Sequence, residues 1–273
     1  MTHKGESTGN ESLEKTGAAV YEKSHREIFN AIEQRRLYGT LREAANAVQT
    51  GAKPPTALDY GCGSGNLTRH LTELGFHVVA ADVSDDFLGA IERKFSGTGA
   101  VQTLKLNGAD LSGVPDARFD LVATYSVLHH VPDYLGIVEE MCRVIKPGGV
   151  IYIDHEVTEA YYQRPAAYVE FLKKARPRVD WRHMLSLMLD VKGYRHILRR
   201  LANPRYKREG DLHVWPDDHV EWHKIEQILL SRGFEIVLKQ DYLLYKAIYD
   251  LQVYEEYRER YADERVVIAR KKL

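Results

Sequence analysis

Between residues 56 and 154 short apolar runs alternate with amphipathic stretches. Runs at 56–60, 77–81, 101–106, 119–124 and 150–154 have the length and aliphatic content of strands. Between them, 66–74 sets Leu67, Leu71 and Leu74 at helical spacing, and 85–95 and 134–145 read as helices. The last is stopped by Lys146-Pro147-Gly148-Gly149. Strands alternating with helices predict a parallel sheet covered on both faces. Upstream, 18–48 is helical, with Tyr21, Ile28, Phe29 and Ile32 on the pattern, and Gly39 is expected to split it in two. Residues 51–56, with Pro54 and Pro55, form a connector. After 154 the alternation lapses into helical stretches at 165–175 and 181–202, the second ended by Asn203-Pro204. It returns with a helix at 220–231 and strands at 234–244 and 266–270, with a tyrosine-rich, helix-compatible segment at 245–261 between the strands. The pattern predicts an α/β, doubly wound, Rossmann-like fold with seven mostly parallel strands and a helical insertion after the fifth. Its expected parts are a disordered tail (1–17), a core with N-terminal helices (18–156), an insertion acting as a lid (157–222) and the end of the core (223–273).

Composition narrows the class. The chain has 273 residues, 44% hydrophobic and 28% charged, enough for one large domain. Two cysteines, Cys62 and Cys142, argue for a reducing cytoplasm over a disulfide scaffold. The polar opening segment lacks the apolar stretch of a signal peptide, and no run of about 18 apolar residues offers a membrane span. A net charge of −1 argues against a nucleic-acid partner. The charge is uneven: residues 157–210 hold 13 Lys plus Arg against 5 Asp plus Glu, a local +8 that leaves −9 elsewhere.

Candidate chemistry centres on Leu58-Asp59-Tyr60-Gly61-Cys62-Gly63-Ser64-Gly65-Asn66, which follows a strand and opens a helix. In open α/β sheets, ligands bind at the carboxyl ends of strands. The spacing is G-x-G-x-G, and Asn66 stands where the dinucleotide fingerprint requires glycine. A carboxylate at Asp59 suits an ammonium group and repels a pyrophosphate. Asp82, at the end of the next strand, is placed to accept hydrogen bonds from ribose hydroxyls.

This segment resembles motif I of the class I S-adenosylmethionine-dependent methyltransferases, and Asp82 matches that family's ribose-binding acid. Gly108-Ala109-Asp110-Leu111 resembles the loop that meets the adenine amino group, where Asn107 also offers an amide. Phe119-Asp120-Leu121-Val122, with the following 126–133, and the turn at 141–149 resemble the quinone-biosynthesis branch. The likeness covers 56–154 well, the last two strands weakly, and 157–222 not at all. It implies S-adenosylmethionine as cofactor, contacted by Asp59, Gly61, Cys62, Gly63, Gly65, Asp82, Val83, Asp110, Leu111, Tyr125 and Ser126.

Methyl transfer is an in-line displacement in which the protein supplies position, dryness and sometimes a base. The candidate catalytic groups are His130, beside His129 after the fourth strand, and Asp154 and His155 at the end of the fifth, where Glu156 follows. Trp215, His219 and Trp222 are candidates for an acceptor-binding wall; packing in a core competes for the tryptophans. His219 and His223 are four apart, but H-E-x-x-H is absent and no metal ligand set is expected. The insertion's positive charge favours an acidic or phosphorylated small-molecule acceptor; as a basic amphipathic helix it would instead suit an anionic membrane surface and a lipid-like acceptor. The leading function is a small-molecule methyltransferase. The alternatives are a cofactor-binding regulatory or partner protein without catalysis, and an NAD-dependent oxidoreductase, against which Asn66 and Asp59 count. No oligomeric state is implied.

Overall fold

Every position of the run 119–125 is buried, and these residues form the central strand of a seven-stranded sheet. A computed structural model describes residues 18–175 and 211–273. The tail expected at 1–17 and the helix expected at 181–202, with much of the basic block, lie outside the described residues. The strands are β1 Thr56–Tyr60, β2 His77–Asp82, β3 Val101–Lys105, β4 Phe119–Tyr125, β5 Ile145–Val157, β6 Phe234–Tyr242 and β7 Glu264–Lys271. Their order is β3-β2-β1-β4-β5-β7-β6. The first five are parallel, and β7 runs antiparallel between β5 and β6. The order reverses between β1 and β4, which opens a crevice at their carboxyl ends.

Helices α1 Ala18–Ser24, α2 Ala31–Ala47, α3 Asn66–Glu73, α4 Asp85–Lys94, α5 Tyr134–Val144, α6 Glu159–Gln163, α7 Ala166–Ala175, α8 Trp222–Ser231 and α9 Leu251–Tyr257 surround the sheet. On one side, Ile137 and Met141 of α5 and Trp222, Ile225 and Leu229 of α8 pack on β1, β4 and β5. On the other, Leu37 and Leu41 of α2 and Leu67 and Leu71 of α3 do the same. A third cluster joins Tyr168 and Phe171 of α7 to Tyr254 and Tyr257 of α9. Among the described residues, no helix is long and apolar enough to cross a membrane.

Three boundaries differ from expectation. The N-terminal helices part at Asn30, not Gly39, because the Asn30 side chain accepts from the amides of Ile32 and Glu33 and starts α2. Gly39 sits within α2 with open space where a side chain would point. Strand β5 begins at Ile145, because that residue pairs with Phe119 of β4; the turn residues 146–149 then form a register shift before Val150 pairs with Leu121. The 245–261 segment is helical only at α9.

Candidate functional site

The glycine loop joins β1 to α3. Gly61, Gly63 and Gly65 have φ of 73°, 48° and 87°, the left-handed region that glycine enters without a Cβ penalty. At Gly61 an added Cβ would lie 2.6 Å from a Val127 methyl, and at Gly65 2.5 Å from Ile91 Cδ1. Gly63 instead faces open space, so the loop is pressed against the protein at both ends and free in the middle. The Gly63 amide donates to Asp82 Oδ2 at 2.9 Å, and the Ser84 amide to Oδ1 at 2.9 Å. Each carboxylate oxygen keeps lone-pair capacity for a hydroxyl. Burial pushes the Asp82 carboxyl above its ordinary pKa, against the pull of these amides. Where α3 begins, Ser64 Oγ and both polar atoms of the Asn66 side chain are buried and lack hydrogen-bond partners among the described residues. Such groups are costly unless a polar ligand meets them. The loop, Asp82 and these orphaned atoms fit a nucleoside bearing a charged amino-acid tail.

The other expected contacts vary in placement. Asp59 is buried against Thr68, whose hydroxyl donates to Asp59 Oδ2 at 2.6 Å. Burial first, with the charge of Asp82 adding to it, lifts its pKa to about 7. The Cys62 thiol is buried and pushed up by burial and by Asp59 and Asp82, which suits a filler and not a nucleophile. Asp110 lies in an exposed loop, its Oδ1 accepting from Asn107, from the Ser112 hydroxyl and from the Ser112 amide, which lower its pKa. Leu111 is in the core, and Val83 packs against it. Tyr125 points its hydroxyl at Glu33 of α2, 3.0 Å away, and is buried on that face of the sheet.

Beyond the carboxyl ends of β4 and β5 lies a cavity of about 260 Å³. Its walls include Ser126, His129, His130, His155 and Glu156 from the strand ends. Tyr21, His25, Glu27 and Ile28 contribute from the N-terminal segment, and Tyr161, Asp211, Lys246, Asp263 and Glu264 from later in the chain. Ser126, directly after β4, and His155, at a register shift within β5, both have left-handed backbones, with φ of 59° and 62°. Non-glycine residues held there cost about 1–3 kcal/mol each, and such strain gathers at functional sites. The His155 ring packs against Tyr125, with centroids 4.7 Å apart and planes tilted by 37°. Its Nε2 is buried with no hydrogen-bond partner among the described residues. Burial lowers its pKa and keeps the ring neutral at pH 7.

Asp154 is not among the cavity walls. It is fully buried, and its oxygens accept from Arg36, Tyr152, Tyr242 and the His155 amide. Arg36 reaches it at 2.9 Å, pairs with Glu33, and lies 3.8 Å from the Tyr242 ring centroid. With its acceptors engaged, Asp154 holds the backbone beneath His155 and is not placed to take a proton. Trp222 is likewise a core residue, its Nε1 donating to the Val157 carbonyl. Trp215 and His219 lie on opposite strands of a short hairpin, Trp215 paired with Asp218 and His219 with Val214. His219 packs at a tilt against the Tyr162 ring and lines a separate surface groove with Tyr134 and Asp217. His223 is mostly exposed near Glu221. The expected acceptor wall is therefore not assembled from these three residues. Glu27, Lys246, Asp263 and Glu264, in the cavity, carried no sequence signal, since spacing alone brings none of them to the strand ends.

Residues 58–153 match a family model described as a methyltransferase domain. The chain is 34% identical over 97 residues to a ubiquinone biosynthesis O-methyltransferase of Methylococcus capsulatus, covering 35% of this chain and 41% of that protein. It is 30% identical over 146 residues to a demethylmenaquinone methyltransferase of Bacillus licheniformis, covering 52% and 62%. The matches thus span about half the length of these curated relatives. Among solved structures, an S-adenosylmethionine-dependent methyltransferase from Mesorhizobium loti shares the fold with a TM-score of 0.55 at 19% identity, covering 91% of this chain and 99% of that one. One from Methanosarcina mazei does so with a TM-score of 0.51 at 21% identity, covering 84% and 96%.

Proposed function

We propose that this chain, whose residues 58–153 match a methyltransferase-domain model, is a class I S-adenosylmethionine-dependent enzyme that transfers a methyl group to a small hydroxyl-bearing acceptor held in the cavity beyond β4 and β5. The observation that carries the reading is adjacency: the glycine loop and Asp82 end β1 and β2, and the cavity begins where β4, next to β1, ends. The cofactor supplies an electrophilic methyl on a sulfonium, and the remaining work belongs to the protein. Asp82 would hold the ribose hydroxyls, and the Gly61–Gly65 loop would receive the amino-acid tail. His155, neutral and with Nε2 unpartnered among the described residues, would accept the acceptor's hydroxyl proton at that atom.

The cavity also argues for an acceptor class. Glu27, Glu156, Asp211 and Asp263 oppose one lysine, Lys246, so a phosphorylated acceptor is disfavoured at this wall despite the basic insertion. The curated relatives are named for quinone biosynthesis, which makes hydroxylated ring precursors the first acceptors to try. Three ligands measured in parallel by calorimetry test the cofactor: S-adenosylmethionine and its demethylated product should bind, and NAD should not. For the base, His155→Asn keeps a residue that tolerates the left-handed backbone. It should lower kcat by about 10²–10⁴-fold, with cofactor affinity unchanged. Unchanged kcat in this variant would remove His155 from the chemistry.

A further inference from the structure

We propose that His129, His130 and Asp211 form a binding site for a divalent transition-metal cation in the wall of this cavity. The two histidines lie on a single 3₁₀ turn, Leu128–His130, directly after β4. Their rings are 4.1 Å apart between centroids and tilted by 43°. Asp211 comes from far along the chain, where the insertion rejoins the core, and its Oδ1 lies 3.6 Å from His130 Nδ1. One donor atom from each of the three lies within 4.8 Å of the others, and they are the one such group of His, Cys, Asp or Glu among the described residues. A cation at about 2.0–2.1 Å from each donor needs them somewhat closer, which rotation of partly buried side chains provides.

Two further contacts mark this as a built arrangement and not a chance meeting. The amides of Leu212 and His213 donate to the carbonyl of His129 at 2.9 and 3.0 Å, so the backbone carrying Asp211 is fastened to the residue it would join in coordination. Behind the histidines, Glu156 accepts from the amides of Val127 and Leu128 and meets His129 Nδ1 at 2.8 Å. A carboxylate that grips one edge of an imidazole fixes its tautomer, turns the opposite nitrogen toward a ligand and raises its basicity. Glu156 is buried, and these three bonds tie it to the 3₁₀ turn and the residue before it.

Two imidazole nitrogens and one carboxylate oxygen suit zinc, cobalt, manganese or iron better than magnesium or calcium, which take oxygen donors. Three protein ligands leave coordination positions open. All three residues line the proposed acceptor cavity, so an acceptor hydroxyl entering it would meet the cation and lose its proton more readily. That role rests on the methyltransferase reading; the binding site does not. The family-matched segment ends at residue 153, so the domain alone supplies two donors and the later chain the third.

The test uses the untagged full-length chain, stripped with a chelator and titrated with Co²⁺, followed by its visible absorption and by calorimetry. One equivalent should bind and be displaced by Zn²⁺, with Mg²⁺ ineffective. His130→Ala and Asp211→Asn should each weaken Co²⁺ binding at least about tenfold, and Glu156→Gln by about 10–100-fold. His223→Ala, at an exposed histidine, should match the wild type. S-adenosylmethionine affinity, measured on every variant, should stay constant and confirm that each is folded. Absence of stoichiometric uptake, or uptake undiminished in both His130→Ala and Asp211→Asn, overturns the site. Cobalt binding without cofactor binding would overturn the proposed function and leave the cation site standing; the reverse would do the opposite.

Discussion

At the scale of single residues, the cofactor loop makes the sharpest demands. Asp82 stands in two relations at once: it ties the Gly63 and Ser84 amides in place, and it is the acid proposed to hold the sugar. Asp82→Ala is expected to weaken S-adenosylmethionine binding by about 1–3 kcal/mol through lost charged hydrogen bonds, read by calorimetry. An affinity within twofold of wild type would place the sugar elsewhere. Gly65→Ala makes a different case. Its left-handed backbone costs a non-glycine residue about 1–2 kcal/mol, and its Cβ would press on Ile91. Chemical denaturation should show a loss of about 2–4 kcal/mol once overpacking is added. Gly63→Ala, with open space beside it, should lose less stability and more cofactor affinity. These glycines were legible in the sequence because a G-x-G-x-G turn after a strand has few other uses. The left-handed backbones of Ser126 and His155 were not, since neither residue type announces that conformation.

At the scale of elements, α2 is fastened to the sheet by a buried polar network as well as by its apolar stripe of Leu37, Leu41, Ala44 and Ala47. Arg36 spans Glu33 and Asp154; Thr40 meets the Tyr152 hydroxyl at 2.8 Å; and Tyr125 reaches Glu33. Helical periodicity is plain in the sequence here, but it points to a break at Gly39. A glycine inside a helix has a small cost that packing overrides, whereas the Asn30 cap decides where the helix starts. Asp154 looks like an available carboxylate in the sequence because strand ends in this fold face ligands. Its true surroundings depend on Arg36, more than a hundred residues earlier, which no local pattern reveals. Arg36→Met would leave Glu33 and Asp154 buried without a cation. Removing one partner of such a network costs about 3–5 kcal/mol, and the urea midpoint should fall accordingly. Because the Asp154 carboxylate also holds the His155 amide, this variant should lower kcat more than it raises KM for the acceptor. A variant that unfolds early but keeps full kcat would separate the network from the site.

At the scale of the whole molecule, the strand order and the crevice were legible, since alternating apolar runs and right-handed crossovers allow few other arrangements. The cavity was legible only at its β4 and β5 wall; its other walls come from segments before 56 and after 157, joined by contacts across the chain. Carboxylates are buried both beneath the glycine loop and in the chain after 157, and their protonation bears on global stability. Burial raises the carboxyls of Asp59, Asp82, Asp263 and Glu264. A carboxyl whose folded pKa is raised binds more protons in the folded state than in the unfolded chain between the two values. Stability then falls as pH rises across that interval. Neutral buried histidines, His70 and His155, act in the opposite sense below their ordinary pKa, so the wild-type curve alone is a mixture. The difference between wild type and Asp59→Asn isolates one group. The substituted side-chain amide can still accept from Thr68 through its carbonyl oxygen, and it carries no charge at any pH. With the Asp59 carboxyl moved to about 7, the wild type should lose stability relative to this variant from pH about 4 upward, the difference levelling off above pH about 7. Denaturant midpoints across a pH series, without cofactor, measure it. Parallel curves would mean that Asp59 titrates normally in the folded protein and that its carboxylate is not sealed beneath the glycine loop.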